Sequence, residues 1–135
     1  MAYPEITLST ATIHNPKNPR HFMRAKPVSR TVRVMRNGEV IAETTKALRV
    51  TELGKDMLDP VFYLPRSDVR TTLVPVTGKT THCPLKGDAS YFTVAGDEIA
   101  WSYEAPLEFS LVLQNLIAFY PDAVTTVEIG ENDRA

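Results

Sequence analysis

The sequence predicts a mainly β fold: a small domain of antiparallel sheets with one or two short helices and a proline-rich N-terminal arm. Three observations carry this. Ten prolines are spread over 135 residues, and each fixes φ and removes a backbone donor, which favours short elements over long helices. Apolar residues alternate with polar ones over short runs, the period of a half-buried strand. An Asn-Gly pair stands between two such runs, the signature of a two-residue hairpin turn. The length is that of one domain, enough to bury about two-thirds of the surface that the unfolded chain exposes.

Residues 1–29 read as an extended basic arm, because Pro4, Pro16, Pro19 and Pro27 each push the preceding residue toward extended geometry. His14 and His21 lie in it with no cysteine or carboxylate cluster beside them in the sequence, so they are set aside as ordinary polar residues. Residues 30–129 read as the β domain and 130–135 as a frayed tail. In "RTVRVMRNGEVIAET", residues 30–44, a type I′ turn at Asn37-Gly38 predicts the pairs Arg36–Glu39, Met35–Val40, Val34–Ile41, Arg33–Ala42 and Val32–Glu43. That register puts Glu43 on the apolar face. In "ALRVTE", Leu48, Val50 and Glu52 share one parity, so a second carboxylate ends on an apolar face. "VFYLPRSDVR" is a short strand stopped by Pro65, with Ser67 or Asp68 opening a turn. "ASYFTV" and "IAWSYE", joined by "AGDE", read as a second hairpin in which Val94 faces Ile99, Phe92 faces Trp101 and Ser90 lies near Tyr103. After Pro106 a short helix over 107–114 and a strand over 116–120 are expected, and "AVTTVEI" closes the sheet.

Charge is unevenly placed. Residues 1–36 hold seven Lys or Arg against one Glu, and the remainder holds eight basic against fifteen acidic residues. The two parts attract each other within a subunit or across a homodimer. The basic residues are dispersed and lack interleaved aromatics, which argues against nucleic acid as a partner. One cysteine forms no internal disulfide, and neither a signal peptide nor a membrane-length apolar run is present, so the expected location is the cytoplasm, with no membrane partner.

The chemistry-bearing stretch is "TTHCPLKGDASY", residues 80–91. Pro84 sits where a β-turn wants proline and Gly87 where positive φ is wanted, so Cys83 and Lys86 stand at the two ends of one turn. An ammonium there stabilises a thiolate; equally, an isolated cysteine is commonly a small buried apolar side chain. His82 points to the opposite side of an extended segment, so the adjacent Cys–His pair is not a nucleophile–base dyad. Glu43 and Glu52 are either structural ion pairs at strand ends or carboxylates that shift each other for acid–base work. The aromatic face of the second hairpin is either core or a stacking wall for a planar ligand.

Taken in order, "NGEVIAET", "LRVTE", "VFYLPRSDV", "TTHCPLKGDASY", "IAWSYEAP" and "IAFYPDAV" resemble the domain-of-unknown-function 427 family over residues 30 to about 127. The resemblance implies a β-tent, the architecture also found in the ligand-binding domain of cereblon and in B-type methionine sulfoxide reductases. Its motif positions fall on Glu43, Glu52, Tyr63, Pro65, Asp68, Thr81, Cys83, Lys86, Tyr91, Trp101 and Tyr103. Zinc-bearing tents use paired Cys-x-x-Cys knuckles, which a single cysteine does not supply, so no metal and no cofactor are expected. The family is sometimes filed under a nucleotidyltransferase label, but this sequence shows neither a glycine-rich phosphate cradle nor an acidic pair beside one.

The expected function is therefore a single small-molecule pocket for an anionic or heterocyclic, nucleotide-like ligand. Tyr63, Tyr91, Trp101 and Tyr103 line it, Lys86 with Glu52 or Glu43 anchors the ligand, Cys83 lies at its floor, and Arg66, Asp68 and Thr81 add contacts. One alternative is an enzyme with Cys83 as nucleophile or redox thiol, Lys86 as its activator and Glu52 or Glu43 as acid–base. Another is a homodimeric structural module.

Overall fold

A computed structural model describes residues 12–130 of the chain. Residues 131–135 of the expected tail and the first eleven residues of the expected arm fall outside that range. The strands are β1 (Thr12–Asn15), β2 (Asn18–Pro27), β3 (Thr31–Arg36), β4 (Glu39–Thr44), β5 (Leu48–Leu53), β6 (Val61–Pro65), β7 (Val74–Cys83), β8 (Gly87–Val94), β9 (Asp97–Ser102), β10 (Leu116–Phe119) and β11 (Thr125–Ile129). They form an antiparallel eight-stranded sheet in the order β1-β2-β5-β6-β10-β9-β8-β7 and a three-stranded sheet in the order β11-β3-β4. The short helices are 3-10 turns at Arg66–Asp68 and Glu108–Leu113; the expected helix over 107–114 is the second of these, broken at Ser110. No helix among the described residues is long and apolar enough to cross a membrane.

Two cores use opposite faces of the large sheet. Leu64, Phe92, Ala100 and Ile117 face the small sheet and pack with Val32, Val34, Ile41 and Ala42. Their chain neighbours Tyr63, Tyr91, Trp101 and Ala118 point the other way, into a second cluster with Met23, Val50, Leu85 and Tyr103. Period-two alternation thus feeds both faces from the same strands.

The described part of the expected arm is instead a hairpin of the large sheet. β1 pairs with β2, and β2 pairs with β5 from Phe22↔Leu53 to Pro27↔Leu48. β5 supplies the partner edge for these proline-flanked residues, a pairing that no local sequence signal marks.

Both hairpin registers depart from simple counting, the first through a bulge and the second through a shorter turn together with a bulge. Asn37 and Gly38 have the positive φ of a type I′ turn (51° and 79°), and Arg36↔Glu39 and Met35↔Val40 pair as expected. The register then shifts, giving Val34↔Ala42, Arg33↔Glu43 and Val32↔Thr44. A bulge flips every later side chain, so Glu43 lies on the outer face opposite Arg33. In the second hairpin the loop is the two-residue Ala95-Gly96 turn, and a shift after Phe92 gives Phe92↔Ala100, Tyr91↔Trp101 and Ser90↔Ser102. Phe92 belongs to one core and Trp101 to the other.

Candidate functional site

The turn after β7 closes with Lys86 N–H donating to the Cys83 carbonyl at 3.2 Å, and Gly87 follows at φ +114°. A Cβ at Gly87 would meet the backbone of Leu107 and Pro106 at 3.1 and 3.2 Å, so only glycine lets the 106–107 segment press on the turn. That geometry aims Lys86 inward: the residue is 8% exposed, and its Nζ donates to Glu52 Oε1.

Glu52 arrives from β5 on the same face as Val50. Its other oxygen accepts from His21 Nε2 at 2.9 Å. Burial by itself pushes the Glu52 carboxyl up, but the Lys86 and His21 bonds and charges outweigh it and hold it below its ordinary value.

Beside this pair lies a cavity of about 260 Å³ lined by Val50, Glu52, Leu58, Asp59, Val61, Tyr63, Lys86, Tyr91, Trp101, Tyr103 and Tyr120. Its walls are mainly rings. Trp101 meets Tyr63 edge-on with centroids 6.3 Å apart, leans against Tyr120 at 5.2 Å, and donates from Nε1 to the Tyr63 hydroxyl at 3.3 Å. The Lys86 Nζ stands 5.9 Å from the Tyr103 ring centroid. Burial raises the hydroxyl pKa of Tyr63, Tyr103 and Tyr120, helped at Tyr120 by its bond to Glu98, so these groups are neutral hydrogen-bonding hydroxyls at physiological pH.

Six of the residues expected in a pocket therefore share one cavity: Glu52, Tyr63, Lys86, Tyr91, Trp101 and Tyr103. Cys83, expected at the floor of the pocket, instead packs against the second apolar cluster and does not line the cavity. Thr81 bonds the Tyr91 hydroxyl at 2.6 Å and reaches the site only through it. His82 bonds Asp88 at the surface, away from Cys83 as its parity requires. Glu43, Arg66 and Asp68 lie elsewhere. Glu43 binds Arg33 at 2.5 Å and Arg70 at 3.2 Å, and it lines a separate polar groove with Asp68, whose carboxylate accepts from Thr44. Arg66 stacks over Phe92.

Sequence reasoning missed Tyr120 and His21. Tyr120 follows β10 and shares a parity with Ala118, which pairs with Trp101; extending that alternation one step would have found it. His21 had no local signal, because its partner Glu52 is thirty-one residues away.

A family model described as "Domain of unknown function (DUF427)" matches residues 24–130. The chain belongs to that family. No curated protein matches it.

Proposed function

We propose that this member of the family binds a small planar heterocycle in the aromatic cavity, with the ring against Trp101 and a polar edge against Glu52 and Lys86. The observation that carries this reading is the Glu52–Lys86 pair, side chains 12% and 10% exposed, at the end of a cavity otherwise walled by rings. The pair offers one acceptor and one donor side by side, the pattern a heterocycle edge complements. Of the two ligand classes the sequence suggested, this favours the heterocycle over the anion. The Lys86 charge is already matched by Glu52, and Asp59 adds a second carboxylate to the lining, so an anion would enter against net negative charge. The volume lies just under the roughly 300 Å³ lower bound of drug-sized sites, which suits a single ring system.

Trp101 is the chain's sole tryptophan, so its fluorescence reports this cavity alone. A panel of neutral heterocycles and of aromatic carboxylates is titrated in the presence of a metal chelator. Saturable quenching by heterocycles that disappears in the double variant Glu52→Gln/Lys86→Met, which strands no charge, is the expected result. Quenching by carboxylates only, or quenching unchanged in the double variant, overturns the proposal.

A further inference from the structure

Three donor atoms of different chemistry converge at the polar end of the site. One ring nitrogen of His21, one oxygen of Glu52 and the Cys83 sulfur all lie within 4.8 Å of one another. They come from three strands, β2, β5 and β7. Cys83 is partly buried, and the His21 and Glu52 side chains are 15% and 12% exposed. Both also line a second cleft, of about 560 Å³, whose lining holds no tyrosine or tryptophan. The cluster therefore has an entry path that does not pass the rings.

A nucleophilic relay does not fit these contacts. In such a relay the thiol and the carboxylate occupy opposite nitrogens of the imidazole. Here Nε2 faces Glu52 at 2.9 Å and Nδ1 faces Asn15 Nδ2 at 3.3 Å, which leaves no ring nitrogen for Cys83. Among the described residues, the one Lys or Arg side chain in hydrogen-bond contact with Glu52 is Lys86, and it is engaged there. What remains is a soft sulfur, an imidazole nitrogen and a carboxylate oxygen pointing at one small volume, a donor set that suits a four-coordinate transition-metal ion.

We infer that this cluster binds a divalent transition-metal ion, with Zn²⁺ the best match, through His21 Nε2, Glu52 and Cys83 Sγ, its fourth position open toward the cleft. Zn²⁺ holds such donors at roughly 2.0–2.3 Å, which puts tetrahedral neighbours roughly 3.3–3.6 Å apart; His21 Nε2 and Glu52 Oε2, 2.9 Å apart, open by about 0.4 Å, and the Cys83 sulfur closes on them by up to about 1.3 Å from the 4.8 Å limit. Binding releases the thiol proton to solvent, since the thiolate is the ligand.

Two contacts oppose the ion and give the inference its sharpest tests. The Lys86 ammonium occupies Glu52 Oε1, so ammonium and ion compete for one carboxylate. Asn15 Oδ1 accepts from Lys17 N–H at 3.0 Å, which fixes the amide with its nitrogen toward His21 Nδ1. The neutral ring then carries its proton on Nε2. Metal at Nε2 moves that proton to Nδ1, where a carboxylate would accept it and the Asn15 nitrogen does not.

The test uses the full-length untagged chain and Zn²⁺ alone, in competition with a chromophoric chelator, with Co²⁺ as a reporter of thiolate ligation by its near-ultraviolet charge-transfer band. One ion per chain is expected. Cys83→Ser and His21→Ala should each weaken binding by more than about a hundredfold, beyond what an outer partner contributes, and Asn15→Asp should tighten it by about tenfold. In Lys86→Met the ion replaces the lost cation beside Glu52, so Zn²⁺ should raise the melting temperature of this variant more than that of the wild type. No stoichiometric binding, affinity indifferent to Cys83→Ser, or a smaller Zn²⁺ shift in Lys86→Met would each overturn the inference. Because the probe is the ion alone, none of these outcomes depends on the heterocycle reading.

Discussion

Replacing Lys86 with Met, in the absence of metal, leaves the Glu52 carboxylate mostly buried with His21 as its remaining partner. Removing one member of a buried ion pair costs about 3–5 kcal/mol; because both side chains keep a little solvent contact, the lower end, about 3 kcal/mol, applies here. For a chain of this length that corresponds to a fall in melting temperature of about 10–15 °C, within the stability of a typical domain. The pH dependence carries the mechanism. In the wild type the folded Glu52 carboxyl lies below its ordinary value of 4.5, so it contributes stability that is present above that value and lost as pH falls through the folded one. In the variant the Lys86 bond and charge are gone, while burial, the largest influence, still pushes the carboxyl up. The folded value rises, and stability is then lost as pH rises through it. The deficit against wild type should therefore grow between about pH 4 and pH 7, and adding Glu52→Gln should recover most of it. Denaturant melts at both pH values measure this. A deficit equal at the two pH values, or a double variant no more stable than Lys86→Met, would refute the account of Glu52 as a buried charge held by Lys86.

Two further predictions test the frame around the site. Gly87→Ala combines a φ of +114° with a Cβ 3.1 Å from backbone; each such strain costs about 1–3 kcal/mol, so chemical denaturation should show a loss of about 3 kcal/mol, and a loss under about 0.5 kcal/mol would show that the turn relaxes freely. Glu43→Gln removes a carboxylate held low chiefly by the Arg33 hydrogen bond, on a half-exposed outer face where ion pairs contribute about 0–1 kcal/mol. The Trp101 fluorescence titration of this variant should match the wild type, and a loss of ligand quenching would return Glu43 to the site.

The alternation of apolar and polar residues made both central hairpins legible in the sequence, and with them the face of β5 that carries Glu52. Glu52 shares a face with Val50, as the alternation in "ALRVTE" predicts, because no bulge interrupts β5. Glu43 was misplaced because one bulge after Met35 inverts the parity of all that follows, and nothing in "VRVMRNGEVIAE" marks where the extra residue sits. In the second hairpin a two-residue turn in place of the four-residue link, together with a bulge, makes Tyr91 instead of Phe92 the partner of Trp101. Here the outcome mattered more: the true register sends Phe92 to the inter-sheet core and leaves Tyr91 beside Trp101 at the cavity. A pattern of alternate aromatics tells that one face is aromatic; only the register tells which rings those are.

The N-terminal hairpin explains why the polar end of the cavity has the chemistry it has. β5 would be a sheet edge without β2, and the carboxylate it carries would lose the His21 bond. The hairpin reaches the site through two side chains on one face: Met23 pairs with Glu52 and packs at 0% exposure, while His21, two residues earlier, reaches the carboxylate. The segment matched by the family model begins at residue 24, beyond both His21 and Asn15. The stacking wall, Glu52 and Lys86 all lie inside the matched segment, whereas the imidazole that completes the donor cluster lies outside it. The proposed heterocycle site therefore draws its polar anchors and rings from the matched segment alone, and the proposed metal site requires a hairpin that begins before that segment.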